Sequence, residues 1–198
     1  MMEVSPVVLT GAHVRLEPLT EAHIPGLTEI GVGQDFWHFM LYGEMSAAAD
    51  MRAWVLDILS RTGDLPFAVI HLASGRVAGA TRYLNVAPKD RGLEIGGTWY
   101  GPEFQRTAVN TESKYLLLRH AFETLGCIRV QLKTDSRNVR SQIAIERLGA
   151  AKEGVLRNHI ILPDGTIRDS VFYSILDSEW PGVKARLEKL MRKYEEGR

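Results

Sequence analysis

The stretch that decides the fold is LEIGGTWYGPEFQRTAVNT, residues 93–111. Its first eight residues, 93–100, form a strand-like run, and the loop 105–111 then leads into an apolar-periodic helix. A loop in that position presents several backbone N–H groups at a helix N-terminus, where the helix dipole adds partial positive charge. The sequence therefore predicts a strand, an anion-binding loop and a helix in succession.

A second strand and helix follow directly. Residues 128–134 predict a strand, Asn138 is an N-cap residue, and Gly149 ends the helix that Asn138 begins. The helix after the loop is predicted from Asn110, as its N-cap, to about Leu125. The order strand, helix, strand is a crossover connection, which implies one parallel strand pair.

The rest of the chain predicts hairpins and further helices. Helices are predicted at about 20–31, 47–59 and 179–196, and strands at 13–17, 67–72, 77–86, 154–162 and 170–176. Ser74-Gly75 and Asp164-Gly165 are typical hairpin turns. Hairpins with one crossover imply an α+β fold with a mixed, mostly antiparallel sheet of about seven strands flanked by helices.

Chain length and composition suit one domain. The chain has 198 residues, of which 45% are hydrophobic, enough for one continuous core at about 13–177 with a C-terminal helix at about 178–196. The apolar stripe of that helix packs either on the domain or on a second subunit. Because the second alternative gives this long stripe a partner, we expect a homodimer.

Charge and cysteine content exclude several functional classes. Lys plus Arg and Asp plus Glu each total 24, so no basic surface for nucleic acid or anionic membrane is expected. The chain has no 18-residue apolar run and no basic-then-apolar leader, which predicts a cytoplasmic protein. Cys127 is the only cysteine and favours a buried structural role, and the six histidines lack two-ligand spacing. We therefore predict no metal site.

Taken in order, Glu94, the loop 105–111, Glu112, Asn138-x-x-Ser141 and the segment 149–154 resemble the GNAT acetyltransferases. The resemblance extends from about residue 13 to about residue 180 and is to the branch containing the Rim-type ribosomal-protein N-acetyltransferases. In that family the loop begins with Gln or Arg and has two glycine places, the second sometimes Ala, and its amides hold the pyrophosphate of acetyl-coenzyme A.

The loop of this chain departs from the family pattern at both glycine places. Gln105 takes the first position, but Ala108 and Asn110 stand where glycines are usual. Glycine permits positive φ and close backbone approach, which these residues permit less readily. Thr107 and Asn110 offer side-chain hydrogen bonds in compensation, so a modified coenzyme site is expected.

The resemblance implies a set of coenzyme-binding residues. The backbone of the strand binds pantetheine and the thioester oxygen, the loop binds pyrophosphate, and nearby polar side chains complete the site. From the residues alone, a solvated charge is the preferred interpretation of each of Arg106, Lys114 and Arg140. The implied residues are Thr98, Trp99, Tyr100, Gln105, Arg106, Thr107, Ala108, Val109, Asn110, Thr111, Lys114, Asn138 and Ser141, with Arg140 as a further phosphate contact.

Two residues are candidates for catalysis. An alkylammonium with a pKa of about 10 must lose a proton before it attacks a thioester, and a carboxylate suits that task. Glu94, two residues before the bulge-forming pair Gly96-Gly97, is the candidate base; the alternative is a solvated or paired carboxylate on an edge strand. The resemblance implies that Ser141 stabilises or protonates the thiolate, with Tyr173 in reserve. From the residues alone, Asn138 and Ser141 are an N-cap and its N3 residue.

Together these features predict an acetyl-coenzyme A-dependent N-acetyltransferase that uses direct attack in a ternary complex. The acceptor is a primary amine, on a small molecule or a protein N-terminus. The alternative is an acyl-coenzyme A-binding sensor without catalysis, which the altered loop motivates. Aromatic residues between the first two helices either line the acceptor pocket or cap the core: Phe36, Trp37, Phe39 and Tyr42.

Overall fold

The computed structural model describes residues 2–196, with side chains as far as Tyr194. Its helices are α1 Ile24–Gly31, α2 Ala48–Ser60, α3 Ala108–Arg119, α4 Val139–Leu148 and α5 Trp180–Glu196. Its strands are β1 Leu9–Thr10, β2 Val14–Pro18, β3 Leu65–His71, β4 Arg76–Ala87, β5 Gly92–Tyr100, β6 Arg129–Asp135, β7 Ala151–Ile161 and β8 Ile167–Leu176.

Within the described residues the strands form one sheet in the order β1-β2-β3-β4-β5-β6-β8-β7. The predicted α+β fold with a mixed, mostly antiparallel sheet is confirmed. The sheet has eight strands rather than about seven, because the two residues of β1 add to its edge. A strand that short has no period-2 pattern from which it could be recognised.

The parallel pair β5–β6 creates an opening in the sheet. It pairs only at Gly92–Glu94 against Arg129–Gln131, whereas β6 pairs with β8 along its whole length, from Arg129 to Asp135. Beyond Glu94 the two halves of the sheet therefore separate. The cleft between them is the largest departure from regular strand pairing.

Helices cover both faces of the sheet. On one face, α1 and α2 enclose the ring of Trp99, which packs against Trp37 and Trp54. On the other face lie α3 and α4: the Tyr83 hydroxyl donates to the α3 carbonyl of Leu117, and Tyr173 donates to Glu146 of α4. Successive strand residues point to opposite faces, so this assignment fixes which side chains face which layer.

The predicted N-cap of α3 was wrong. The cap is Thr107, whose side chain accepts from the Val109 amide at 3.2 Å, and Asn110 lies in the first helical turn. Threonine and asparagine are both good caps, so composition alone does not choose between them. Glu112 consequently falls in the second turn of α3. The helix continues through one π-helical turn, and Gly126 ends it at φ +68° as predicted.

The apolar stripe of α5 packs on the domain. Val183 and Leu187 are buried, and Glu188 accepts a hydrogen bond from Tyr115 of α3 at 3.0 Å. Of the two alternatives for this stripe, the intrachain one holds, so the stripe itself gives no support to a dimer. Among the helices of residues 2–196, none combines the length and apolarity that a membrane crossing needs.

Candidate active site

The cleft edge of β5 contains the predicted bulge. Gly97 adopts φ +57°, and the register of β4 with β5 shifts between Ala80 and Arg82. A Cβ on Gly97 would lie 3.0 Å from Arg82 Nε, so both conformation and space favour glycine. Gly96-Gly97 is therefore a bulge that redirects the end of β5 along the cleft.

Past the bulge, alternate residues of β5 turn their backbone groups toward the cleft. The Gly101 amide donates to Ala78 of β4, whereas the Tyr100 carbonyl points away from β4 and accepts from Gln105 at 2.8 Å. By alternation, Thr98 also faces the cleft and Trp99 faces β4. The carbonyl of Trp99 packs against Gly79 of β4, so its backbone faces β4, and the coenzyme contact expected of Trp99 stays a prediction.

Glu94 lies at the closed end of the cleft, where the β5–β6 pairing stops. Its side chain is 2% exposed, and Oε2 accepts from Asn85 at 2.9 Å, Gln131 at 2.8 Å and Lys133 at 3.2 Å. Within the described chain Oε1 accepts no hydrogen bond. Glu94 is thus a paired carboxylate, as one interpretation of the sequence has it, and it also keeps one oxygen for a ligand or water, as a base requires.

The loop before α3 presents amides at the open end of the cleft. Thr107 caps Val109, and Thr111 is the first residue whose amide can bond within the helix. The amides of Ala108 and Asn110 remain for an anion. The positive φ that glycine would favour falls on Arg106, at +62°, whereas Ala108 and Asn110 are helical. Neither Ala108 nor Asn110 therefore needs the positive φ that glycine permits.

Two of the implied coenzyme residues point elsewhere. The Thr111 hydroxyl is buried and accepts from Arg147 of α4 at 2.9 Å, so it already has a partner within the chain, and its ligand contact stays a prediction. Lys114 is buried beneath β5, where Nζ donates to Thr98 Oγ1 at 2.6 Å. Burial lowers the pKa of Lys114 to about 7. It is neither a solvated charge nor a residue of the phosphate loop.

A side-chain bridge spans the mouth of the cleft. Gln105 donates through Nε2 to the Tyr100 carbonyl, and its Oε1 accepts from Arg140 of α4. This contact links the loop to the start of α4, so Arg140 does reach the loop region. A phosphate seated on the amides of Ala108 and Asn110 would lie within the same mouth.

The start of α4 combines a capping role with a free polar group. Asn138 Oδ1 accepts from the Ser141 amide at 3.0 Å, which confirms the capping geometry. The Asn138 Nδ2 and Ser141 Oγ groups donate no hydrogen bond within the described part of the chain. Tyr173, the reserve thiolate donor, instead donates to Glu146 at 2.9 Å, and burial raises its pKa to about 12.

The α1–α2 face of the cleft carries charged residues that the sequence analysis did not single out. Lys133 and Arg168 lie on β6 and β8, and Arg82 of β4 pairs with Asp64 at 3.2 Å and donates to Tyr42 at 2.6 Å. Period-2 alternation marks Arg168, Ser170 and Phe172 as one face of a strand. Only the β6–β8 register shows that this face is the one that meets the cleft.

The aromatic cluster divides between core and cleft. Trp37 is buried, and its indole donates to the Gly31 carbonyl at 2.6 Å, so it caps the core. The Tyr42 hydroxyl accepts a hydrogen bond from Arg82, and the main-chain carbonyl of Phe39 accepts one from Arg168. That Phe36, Phe39 or Tyr42 lines the acceptor pocket stays a prediction.

Other nucleophile and metal chemistry finds no support within residues 2–196. Cys127 is buried beside Met2, and burial raises its pKa to about 11, which keeps the thiol protonated at neutral pH. Among the described side chains, no group of three or more His, Cys, Asp or Glu is arranged to hold a metal ion.

The sheet opens beyond a buried carboxylate, and the opening has a bulged strand edge on one side and a helix N-terminus at its mouth. This arrangement is that of a transferase that uses an acyl-coenzyme A. Residues 13–151 match the family described as an acetyltransferase (GNAT) domain. The chain belongs to this family and is an acetyltransferase. The family uses acetyl-coenzyme A as acyl donor.

Relatives agree with this assignment. The chain is 33% identical over 113 residues, 57% of its length, to a Bacillus subtilis protein called "Putative ribosomal N-acetyltransferase YdaF", of which it spans 61%. A putative acetyltransferase from T. thermophilus is 42% identical with a TM-score of 0.89, covering 96% of this chain and 100% of that one. A GCN5-related N-acetyltransferase from Brucella melitensis is 30% identical with a TM-score of 0.90, covering 95% and 86%.

Proposed function

We propose that this protein transfers an acetyl group from acetyl-coenzyme A to a primary amine by direct attack in a ternary complex. The observation that carries the proposal is the separation of β5 from β6 beyond Glu94. It places a buried carboxylate, an unpaired strand edge and a helix N-terminus along one cleft. Those are the groups that the reaction needs for the amine, the thioester and the pyrophosphate.

The coenzyme would run along the cleft from its mouth to Glu94. The amides of Ala108 and Asn110 would hold the pyrophosphate at the α3 N-terminus, where the helix dipole favours negative charge. Arg140, already at Gln105, would add a cation. The backbone of Thr98 and Tyr100 would bind the pantetheine and the thioester oxygen, as an added strand would.

Two residues would move the protons. Glu94 would accept a proton from the substrate ammonium through a water at Oε1, so that the neutral amine can attack. Lys133 and the side-chain amides of Asn85 and Gln131 would hold Oε2 in place. Ser141, at the start of α4 across the cleft, would protonate the departing thiolate. The helix N-terminus would stabilise negative charge there as the carbon–sulfur bond breaks.

The acceptor would be a small amine or a protein N-terminus. The name of the Bacillus relative supports a protein amine. We also propose that the chain is one domain, that it acts as a homodimer, and that it is cytoplasmic. Light scattering at tens of micromolar tests the dimer, and a monomer there would refute it.

Coenzyme binding is the first test. Coenzyme A should raise the melting temperature of the purified protein, because a ligand that binds only the folded state stabilises it. No shift at millimolar coenzyme A, with a folded sample, would contradict the proposal. The competing reading, a coenzyme sensor, predicts the same shift but no thiol release with any member of a broad amine panel.

A further inference from the structure

Arg168 is a buried guanidinium without an acidic partner. It is 6% exposed, its Nε donates to Ser170 Oγ at 3.1 Å and its Nη1 to the Phe39 carbonyl at 3.3 Å. Within residues 2–196 no carboxylate lies in ion-pair distance of Arg168, and Nη2 makes no hydrogen bond. Burying a cation in this way is costly unless an anion arrives to pair with it.

The neighbouring cations are already paired. Lys133 contacts Glu94 at 3.2 Å, and Arg137 contacts Asp135 at 2.7 Å. Of these three cations, Arg168 is therefore the one without a carboxylate in ion-pair distance. The β6–β8 register pairs Ser170 with Asp135 and Phe172 with Lys133, so Arg168 lies on the same face of the sheet as these residues. Burial lowers the pKa of Arg168, whereas the charges of Asp135 and Glu94 raise it.

His159 adds an unpaired polar atom at the same place. Its Nδ1 is buried without a hydrogen-bond partner among the described residues. Burial lowers the pKa of His159, and the charges of Lys133 and Arg168 lower it further against a small opposing effect of Glu94. The ring is thus neutral at neutral pH and can donate one N–H to an acceptor oxygen.

We propose that the acceptor carries a carboxylate close to its reacting amine, and that Arg168 binds this carboxylate while Glu94 faces the amine. This inference rests on the proposed acetyl transfer and narrows its substrate class. An arginine fork matches a carboxylate in geometry and charge. The unpaired positive charge of Arg168 disfavours polyamines and aminoglycosides, because these acceptors are themselves cationic. The carboxylate comes either from a free amino acid or from an acidic residue at position 1 or 2 of a peptide.

Matched acceptors test the proposal with the wild-type protein and acetyl-coenzyme A. Peptides beginning Ser-Glu and Ser-Gln differ only in the carboxylate. Free serine and serinamide differ in the carboxylate and in the pKa of the amine, so their rates are compared at equal concentrations of free amine. Thiol release reports turnover. We expect the carboxylate member of at least one pair to have about 10-fold higher kcat/KM, the size of one charge-assisted hydrogen bond. Which pair shows the preference identifies the source. Equal use within both pairs would overturn the proposal.

Variants assign the preference to Arg168. Arg168→Gln should bring the ratio within the preferred pair to about 1, and Arg168→Lys should leave an intermediate ratio because charge remains without the fork. Arg157→Gln, at an exposed arginine on the same hairpin, is the matched control and should keep the wild-type ratio. A preference that survives in folded Arg168→Gln would refute the role of Arg168.

A binding measurement separates this inference from the proposed reaction. Calorimetric titration of each peptide into the protein with coenzyme A forms a complex that cannot react. We expect tighter binding of the Ser-Glu peptide, or of free serine over serinamide, and loss of the difference in Arg168→Gln. If no acceptor is turned over, the proposed reaction fails, while equal binding within both pairs overturns the carboxylate site itself.

Discussion

The cleft around Glu94 and the junction between α3 and β2 each contain a buried carboxylate that accepts three hydrogen bonds. At the junction, both oxygens of Glu112 accept from the main-chain amides of residues 12–14, at 2.6–2.8 Å. At the cleft, side chains of neighbouring strands all donate to Oε2 of Glu94. The two carboxylates are equally buried but differ in what holds them.

The difference separates a carboxylate that stabilises the fold from one that is available for chemistry. Main-chain amides cannot turn away from Glu112 unless the strand itself moves, and neither oxygen is spare. Side-chain donors can reorient, and Glu94 keeps Oε1 for a water or an amine. Burial alone therefore does not identify a catalytic carboxylate; the nature of its donors and its free oxygen do.

The largest expected effect is on stability, at Glu112. Glu112→Ala leaves one buried and two partly buried main-chain amides without an acceptor, which should cost about 3–5 kcal/mol of unfolding free energy. Glu103→Ala is the control, because Glu103 is exposed and its ion pair with Arg76 should contribute at most about 1 kcal/mol. Urea unfolding measures both. Similar losses of unfolding free energy in the two variants would contradict a structural role for Glu112.

Glu94→Gln should instead lower the reaction rate. The amide keeps the shape but removes the base, so the transfer rate at pH 7 should fall by roughly 10²-fold or more while coenzyme affinity is unchanged. The deficit should shrink at high pH, where the free amine is abundant. Ser141→Ala should lower the rate at every pH. Wild-type turnover in Glu94→Gln at pH 7 would exclude Glu94 as the base and make His159 the next candidate.

Lys114 is a third buried titratable group, and its amine donates a hydrogen bond to the Thr98 hydroxyl. Its folded pKa of about 7 lies below the unfolded value of 10.5, so the unfolded state binds more protons between these values. Stability should therefore rise with pH from about 7 upward, by up to about 1.4 kcal/mol per pH unit. Lys114→Met should lack this rise and be more stable than wild type at pH 6. Parallel curves for the two proteins between pH 7 and 9 would contradict the burial of an uncharged amine.

The smallest expected effect is at Arg106, in the loop that joins the two regions. Its left-handed conformation, φ +62°, is costly for any residue with a Cβ. Arg106→Gly should be about 0.5–1 kcal/mol more stable than Arg106→Ala, which keeps the Cβ and serves as the control. Thermal unfolding compares the two. The opposite order would show that the loop relaxes out of this conformation.

The sequence predicted the elements whose signals are local. The strand 93–100, the bulge at Gly96-Gly97 and the cap at Asn138 each depend on a few adjacent residues, and the structure confirms all three. The α3 cap was misplaced by three residues because Thr107 and Asn110 are both competent. Local chemistry narrows such choices without deciding between them.

What the sequence did not provide depends on register and burial between distant segments. Nothing near Lys114 marks it as buried, since the strand that covers it lies 16 residues away in the chain. Likewise Arg168 meets the cleft only because β8 pairs with β6 in one particular register. Pairing between distant strands brings the site residues together, whereas the loop and the helix caps are determined by adjacent residues.

The C-terminal helix has a mechanical role that follows from its position. It emerges from β8, in one half of the sheet, and packs on α3, which extends from β5 in the other half. Its Trp180 and Lys184 also contact Glu123, just beyond α3. β5 and β6 are joined by only three residue pairs, so the contacts of α5 with α3 are a second connection between the two halves of the sheet. A helix remote from the cleft thus contributes to holding its two sides together.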